Sequence, residues 1–142
     1  MPSMSYKSKL EKINGKVLEE ELGELSQGDT WWYEPKEGEI KYVIPASIHT
    51  YTPDFWIKKK NGWIVVETKG IWDYTDRFKH VCIKLLYPKL DIRFVFTRSL
   101  TKTSKGAKQT YADICEGRGR GVFKGLVWKY ADKRIPVEWL HE

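Results

Sequence analysis

Asp54, Glu67 and Lys69 are the side chains in this sequence whose types and spacing suggest a reaction. Residues 54–57 and 63–68 are apolar-rich runs on either side of Lys58-Lys59-Lys60-Asn61-Gly62. Asn-Gly is a strong hairpin signal because both residues tolerate positive φ. With Asn61 and Gly62 as the turn pair, Lys60 faces Trp63, Trp56 faces Glu67 and Asp54 faces Lys69. Strand side chains alternate between faces, so the spacing predicts Asp54, Glu67 and Lys69 on one face, with Asp54 across from Lys69 and diagonal to Glu67. A bulge or longer loop would move that register by one.

Two carboxylates and an ammonium suit phosphodiester chemistry. Mg²⁺ prefers oxygen ligands and commonly takes one or two carboxylates, leaving the other positions to water and substrate phosphate. Such an ion polarises a scissile phosphate and lowers the pKa of a bound water. Lys69 beside two carboxylates favours its charged form, which makes it an electrostatic stabiliser first and a general base second. The ordinary alternative is a surface cross-strand charge cluster worth a fraction of a kcal/mol, on the order of an exposed ion pair.

The elements that must position these residues follow from pattern. Leu10, Ile13, Val17, Leu22 and Leu25 recur at helical spacing, so residues 8–25 read as a first helix with an apolar stripe. Ser8 and Glu11 fit a capping box at its start. Gln27-Gly28-Asp29 ends it, and residues 30–33 and 40–44 read as a hairpin or as two successive strands around a Pro-Lys-Glu-Gly turn. Beyond Gly70, Asp73 or Thr75 caps a helix running to about Tyr87, with Phe78, Val81, Cys82, Leu85 and Leu86 on one side, and Pro88 stops it. Residues 91–97 are a strand, and a strand, helix, strand order predicts a right-handed crossover beside the Val65 strand. Residues 98–109, basic and rich in Ser, Thr and Gly, read as a loop. Thr110 caps a short helix over 111–116, and Gly117-Arg118-Gly119-Arg120-Gly121 reads as a flexible basic link. Residues 122–128 read as a further strand, and Pro136 opens a short C-terminal helix. The fold class is α/β, a mixed sheet flanked by helices.

The 142 residues amount to one ordinary domain, able to bury roughly 70% of its unfolded surface. No apolar run approaches the roughly 20 residues that span a bilayer, and the first 16 residues lack the pattern of a secretory signal, so a cytoplasmic location is expected. Cys82 and Cys115 lack metal-site spacing and are expected as reduced core thiols. Residues 1–39 hold 5 basic and 9 acidic side chains of the total 25 and 19, leaving 20 and 10 in the remainder. A segment of charge −4 thus precedes a body of +10, and such a body favours a polyanion through counterion release. The 7 Trp and 8 Tyr are expected mainly in the core, with Trp31, Trp32 and Trp72 ambiguous, and His49 and His80 are expected in structural hydrogen bonds.

Residues 43–55, Val-Ile-Pro-Ala-Ser-Ile-His-Thr-Tyr-Thr-Pro-Asp-Phe, and 66–72, Val-Glu-Thr-Lys-Gly-Ile-Trp, closely resemble phage endonuclease I, the Holliday-junction resolvase of short-tailed phages. Residues 90–96, Cys115-Glu116 and residues 131–139 match in order, so the likeness runs from about residue 42 to the C-terminus. The resemblance implies a restriction-endonuclease-like core of the PD-(D/E)xK superfamily and a metal-dependent endodeoxyribonuclease that resolves four-way and branched DNA junctions by paired hydrolysis. It implies Asp54, Glu67 and the Thr68 carbonyl as ligands of Mg²⁺, with Mn²⁺ substituting and one or two ions per site, and Lys69 as the catalytic lysine. Ser8-Lys9-Leu10-Glu11 is similar to the family's Ser-Gly-Leu-Glu, which implies Glu11 as the helix glutamate and a further ligand, with Glu20 as the alternative. The resemblance also implies an intertwined homodimer built from a single nuclease domain over 1–142, with residues 1–44 exchanged between protomers and 45–142 forming the catalytic core. Pro45 suits a crossing connection. Arg98, Lys102, Lys105, Lys108, Arg118 and Arg120 are the expected DNA contacts. A non-catalytic nucleic-acid-binding module and a sequence-specific nuclease on the same core are the competing readings.

Overall fold

The computed structural model describes residues 5–23, 30–44 and 47–142. Its framework is a five-stranded mixed sheet of β1 (Trp31–Tyr33), β4 (Phe55–Lys59), β5 (Gly62–Lys69), β6 (Asp91–Phe96) and β9 (Tyr130–Asp132), in the order β1-β4-β5-β6-β9. β1, β4 and β5 are antiparallel neighbours, whereas β5, β6 and β9 run parallel. The crossover between β5 and β6 is α2 (Tyr74–Leu86), as the strand, helix, strand order predicts. β2 (Ile40–Ile44) and β3 (Ser47–Tyr51) form a separate antiparallel pair, so the segments at 30–33 and 40–44 are not partners of each other. Pro45 and Leu25, both used in the sequence reading, lie outside the described residues.

The central strands are buried on both faces, which is why they read as continuous apolar runs. Ile64, Val66 and Val95 pack with Val17 and Leu18 of α1 (Lys9–Leu22), while Val65, Phe94 and Phe96 pack with Val81 and Ile83 of α2 and with Trp72. The helices thus cover opposite faces. Trp31 and Trp72 are fully buried, settling both as core.

The tight hairpin forms, but one step away from the predicted register. Lys59 pairs with Gly62 and Phe55 with Val66, so the turn residues are Lys60 and Asn61. Gly62, at φ 130°, closes the ladder instead of sitting in the turn. The slide shifts both strands by one, preserving which face each side chain takes but bringing Asp54 opposite Glu67 instead of Lys69.

In α1 the apolar stripe faces the core at Leu10, Val17 and Leu22 but not at Ile13, and polar residues share the buried face. Ile13 is 43% exposed, and the inward residues are Glu11, Asn14, Gly15, Val17 and Leu18. Gly15 is there because a Cβ would stand 2.1 Å from the Tyr6 ring. Asn14 is there because its amide ties the helix to the C-terminal segment: Nδ2 donates to Leu10 O at 2.8 Å and to Lys133 O at 3.1 Å, and Oδ1 accepts from Ile135 N–H at 2.6 Å. Asn14→Ala should cost on the order of 1–3 kcal/mol, because it strands the buried Ile135 N–H. Urea denaturation checks this, and an unchanged midpoint would contradict it.

α2 starts at an Asp73 cap, whose carboxylate accepts from Asp76 N–H at 2.9 Å. Its inward face is Arg77, His80, Val81 and Ile83, whereas Leu85 and Leu86 are 67% and 51% exposed, contrary to the apolar side predicted. α3 (Tyr111–Cys115) carries a complete Thr110–Asp113 capping box. The glycine-rich link is structured: β7 (Glu116–Arg118) pairs with β8 (Lys124–Val127) across an irregular register. Gly117, Gly121 and Gly125 take φ of 83°, 59° and 78°, so glycine supplies the irregular backbone of this ribbon, within both strands and in the connection, instead of loosening it. Val137–His141 forms a 3-10 turn after Pro136, and β9 is a strand the sequence reading did not separate. Among the described residues, no helix is long and apolar enough to cross a membrane.

Candidate active site

The C-terminal half of β5, the start of β4, α1 and α2 bring the reactive side chains together. Asp54 precedes β4, and its N–H donates to Glu67 Oε1 at 3.0 Å. Its Oδ2 accepts from both the N–H of Thr68, at 2.9 Å, and the Thr68 hydroxyl, at 2.7 Å. Asp54 and Thr68 are thereby locked, and Asp54 lies beside Glu67.

On the α1 side, Glu11 reaches the same place. One oxygen each of Glu11, Glu34 and Asp54 lie within 4.8 Å of one another. Only half of the predicted capping box forms: Ser8 Oγ accepts from Glu11 N–H at 3.1 Å, while Glu11 Oε1 accepts from the Tyr33 hydroxyl at 2.9 Å. The buried Glu11 carboxylate therefore faces the site. Glu20 is exposed, whereas Glu11 lies in the carboxylate cluster.

On the α2 side, Lys69 Nζ lies 3.2 Å from Glu67 Oε2 and 2.6 Å from Asp76 Oδ2. Asp76 Oδ1 in turn holds Lys79 at 3.0 Å. His80 is fully buried among the rings of Tyr51, Trp72 and Phe94, a packing position in which its ring nitrogens find no hydrogen-bond partner among the described residues. His49 stacks on Tyr42, with ring centroids 5.3 Å apart.

The electrostatics follow from this crowding. Burial, then the neighbouring Glu67 carboxylate, push Asp54 up to about 8, against the two hydrogen bonds from Thr68. Burial also raises Glu67, with Lys69 opposing. Burial works against the Lys69 ammonium, yet Glu67 and Asp76 together outweigh it and hold Lys69 above its ordinary value. The same contacts, with Lys79, hold Asp76 below the ordinary carboxylate range despite burial. One end of the site is short of positive charge and the other has an anchored cation.

Glu34 and Asp76 were missed by sequence reasoning. Glu34 becomes a neighbour of Asp54 only because β1 pairs with β4, Tyr33 against Phe55, after which Glu34 N–H donates to Asp54 O at 2.9 Å. Asp76 reads simply as an acidic residue in the first turn of a helix. The signal that could have found it is that helix's position, directly after the strand carrying Lys69.

A model of the phage endonuclease I family matches residues 2–142. The chain belongs to this family. Endonuclease I of Escherichia phage T7 is 46% identical over 138 residues, which is 97% of this chain and 80% of that protein. Endodeoxyribonuclease 1 of Enterobacteria phage T3 is 47% identical over 103 residues, 72% of this chain and 60% of that protein.

This phage endonuclease I chain carries all six of its expected DNA contacts at the surface. Lys108 and Arg120 line a cleft of about 480 Å³ together with Thr103, Gly106, Ala107 and Gln109. Arg118 is different in kind: its guanidinium is held by Asp113 at 2.6 Å and Glu116 at 3.1 Å, which ties β7 to α3. Arg98, Lys102 and Lys105 form no ion pair among the described residues.

Proposed function

We propose that this member of the phage endonuclease I family is a structure-selective, metal-dependent endodeoxyribonuclease that resolves four-way and branched DNA junctions by paired phosphodiester hydrolysis. The observation that carries the reading is the meeting of Asp54, Glu67 and Lys69 from one hairpin with Glu11 from the N-terminal helix. The names of the T7 and T3 relatives, an endonuclease and an endodeoxyribonuclease, support DNA as substrate. Their phage origin supports action in the host bacterial cytoplasm.

The site suits a hard divalent cation. Its donors are carboxylate oxygens, and the burial and, after it, the Glu67 charge that push Asp54 up to about 8 leave a site that a cation would relieve. Asp54, Glu67, the Thr68 carbonyl and Glu11 are the proposed ligands, with Glu34 a further carboxylate at hand. Mg²⁺ or Mn²⁺ bound there would polarise a phosphate and acidify a water.

The chain's own residues supply the rest. Thr68 fixes Asp54 through two hydrogen bonds, so the carboxylate needs no reorganisation on binding. Lys69, held charged between Glu67 and Asp76, presents an ammonium to the phosphoryl oxygens as negative charge develops, and that charge state makes it a stabiliser in preference to a base. The exposed Arg98, Lys102, Lys105, Lys108 and Arg120 would track the phosphate backbone, with Arg118 in a secondary place because its charge is already matched. No base-reading helix motif is evident in the sequence, which favours structure selectivity over sequence reading.

The functional unit is proposed to be an intertwined homodimer. β2 and β3 pair along their whole length, and opening that pair at residues 45–46 would let residues 1–44 of one chain make the same contacts on another, at little energetic cost. Glu11 would then complete the partner's site, and two sites in one symmetric particle would account for paired cuts. The −4 segment would dock on the +10 body of the other chain.

Cleavage of a four-way junction should require Mg²⁺ or Mn²⁺ and stop in EDTA, and undiminished cutting in EDTA would defeat the metal-dependent reading. Refolding a mixture of inactive Glu11→Ala and Asp54→Ala chains tests the exchange. With shared sites, each heterodimer has one site carrying both lesions and one carrying neither, so single-strand nicking returns. With sites contained in one chain, verified heterodimers stay silent.

A further inference from the structure

Lys69 has two anionic partners, and they differ in what else they must do. Glu67 sits on the same strand and face, with Oε1 committed to Asp54 N–H and Oε2 at 3.2 Å from the ammonium. Asp76 comes from another element and makes the closer contact, 2.6 Å. We propose that Asp76 is the positioning residue of Lys69, holding the ammonium in place through the contact from α2. This inference rests on the reading that Lys69 takes part in cleavage.

Three observations make Asp76 suited to that task. First, its backbone is fixed: Asp73 caps its N–H at 2.9 Å, and Trp72, immediately before the cap, is fully buried and donates its N–H to the Tyr111 hydroxyl at 3.1 Å. Second, its other oxygen is ion-paired with Lys79 at 3.0 Å, and Lys79 lies 5.0 Å above the Tyr51 ring. The carboxylate therefore cannot swing away without breaking two ion pairs. Third, the side chains are mostly enclosed, Lys69 being 12% and Asp76 20% exposed, so the pair is shielded from the solvent that makes surface ion pairs weak. A group placed by a rigid helix start and a second ion pair is what a preorganised site needs around a residue acting on a transition state.

The bland role for Asp76 is that of an acidic residue in the first turn of a helix, favourable to the helix dipole and unrelated to Lys69. The two roles separate in a double-mutant cycle on the full-length protein, using Asp76→Asn, Lys69→Ala and the double variant, with single-turnover cleavage of a four-way junction in Mg²⁺ as the first readout. Positioning predicts that Asp76→Asn lowers the saturated rate on the order of 10- to 100-fold, with the half-saturating protein concentration unchanged, and lowers it no further in the Lys69→Ala background. Losses that multiply in the double variant, or a full rate in Asp76→Asn, would overturn it. The second readout is thermal unfolding in EDTA, where the melting shifts of the two single variants should fail to add if the pair is coupled, and additive shifts would overturn it. If Lys69→Ala cuts at the full rate while the melting shifts remain coupled, the assignment of Lys69 to cleavage is what fails, and Asp76 is left orienting a structural lysine.

Discussion

Asp54→Ala is expected to lower junction cleavage on the order of 10³-fold or more while leaving junction binding nearly intact. No other side chain joins the parts of the site so fully. It belongs to the carboxylate cluster with Glu11 and Glu34, its backbone holds Glu67, and its Oδ2 takes both donors of Thr68. Affinity should survive because it comes mainly from the exposed lysines and arginines. A companion effect has the opposite sign. Asp54 is raised to about 8 from an ordinary value near 3.8, so the folded protein binds its proton more tightly than the unfolded chain does. The stability associated with that proton is full below the unfolded value and is lost as pH rises through about 8. Metal-free wild type should therefore melt at progressively lower temperature across that window, and Asp54→Asn should lack this part of the decline. Full activity in Asp54→Ala would remove Asp54 from the site.

Lys69→Ala should reduce turnover on the order of 10²- to 10³-fold with junction affinity changed little. The ammonium is largely enclosed and already satisfied by Glu67 and Asp76 before DNA arrives, so it adds little to ground-state binding. Its value lies in the charge that develops during cleavage. If affinity and rate fall by the same factor, Lys69 is a binding residue.

The sequence made the centre of this site readable because hairpin alternation depends on parity alone. A slide of the turn from Asn61-Gly62 to Lys60-Asn61 moved every facing pair, yet Glu67 and Lys69 kept a common face and Asp54 stayed beside them. Local rules also located α2, α3 and their caps, since capping is decided within four residues. Contacts across long sequence separation were not legible. Glu34 depends on β1 choosing β4, a pairing 22 residues apart that no periodicity announces. The apolar stripe of α1 located Leu10, Val17 and Leu22 but not its buried polar residues, because Glu11 and Asn14 are held inward by partners at Tyr33, Lys133 and Ile135. The glycine-rich composition of the β7–β8 ribbon suggests a loose link because glycine usually costs order, whereas positive φ at three glycines shapes its irregular strands and their connection.

The central claim is that this carboxylate and lysine site cuts branched DNA. The most direct measurement compares, in Mg²⁺, the cleavage rate of a four-way junction with that of a linear duplex carrying the same sequence. The account predicts nicks placed symmetrically about the branch point and a junction rate far above that of the duplex. Equal rates on both substrates, or no cutting of either by folded protein, would contradict it.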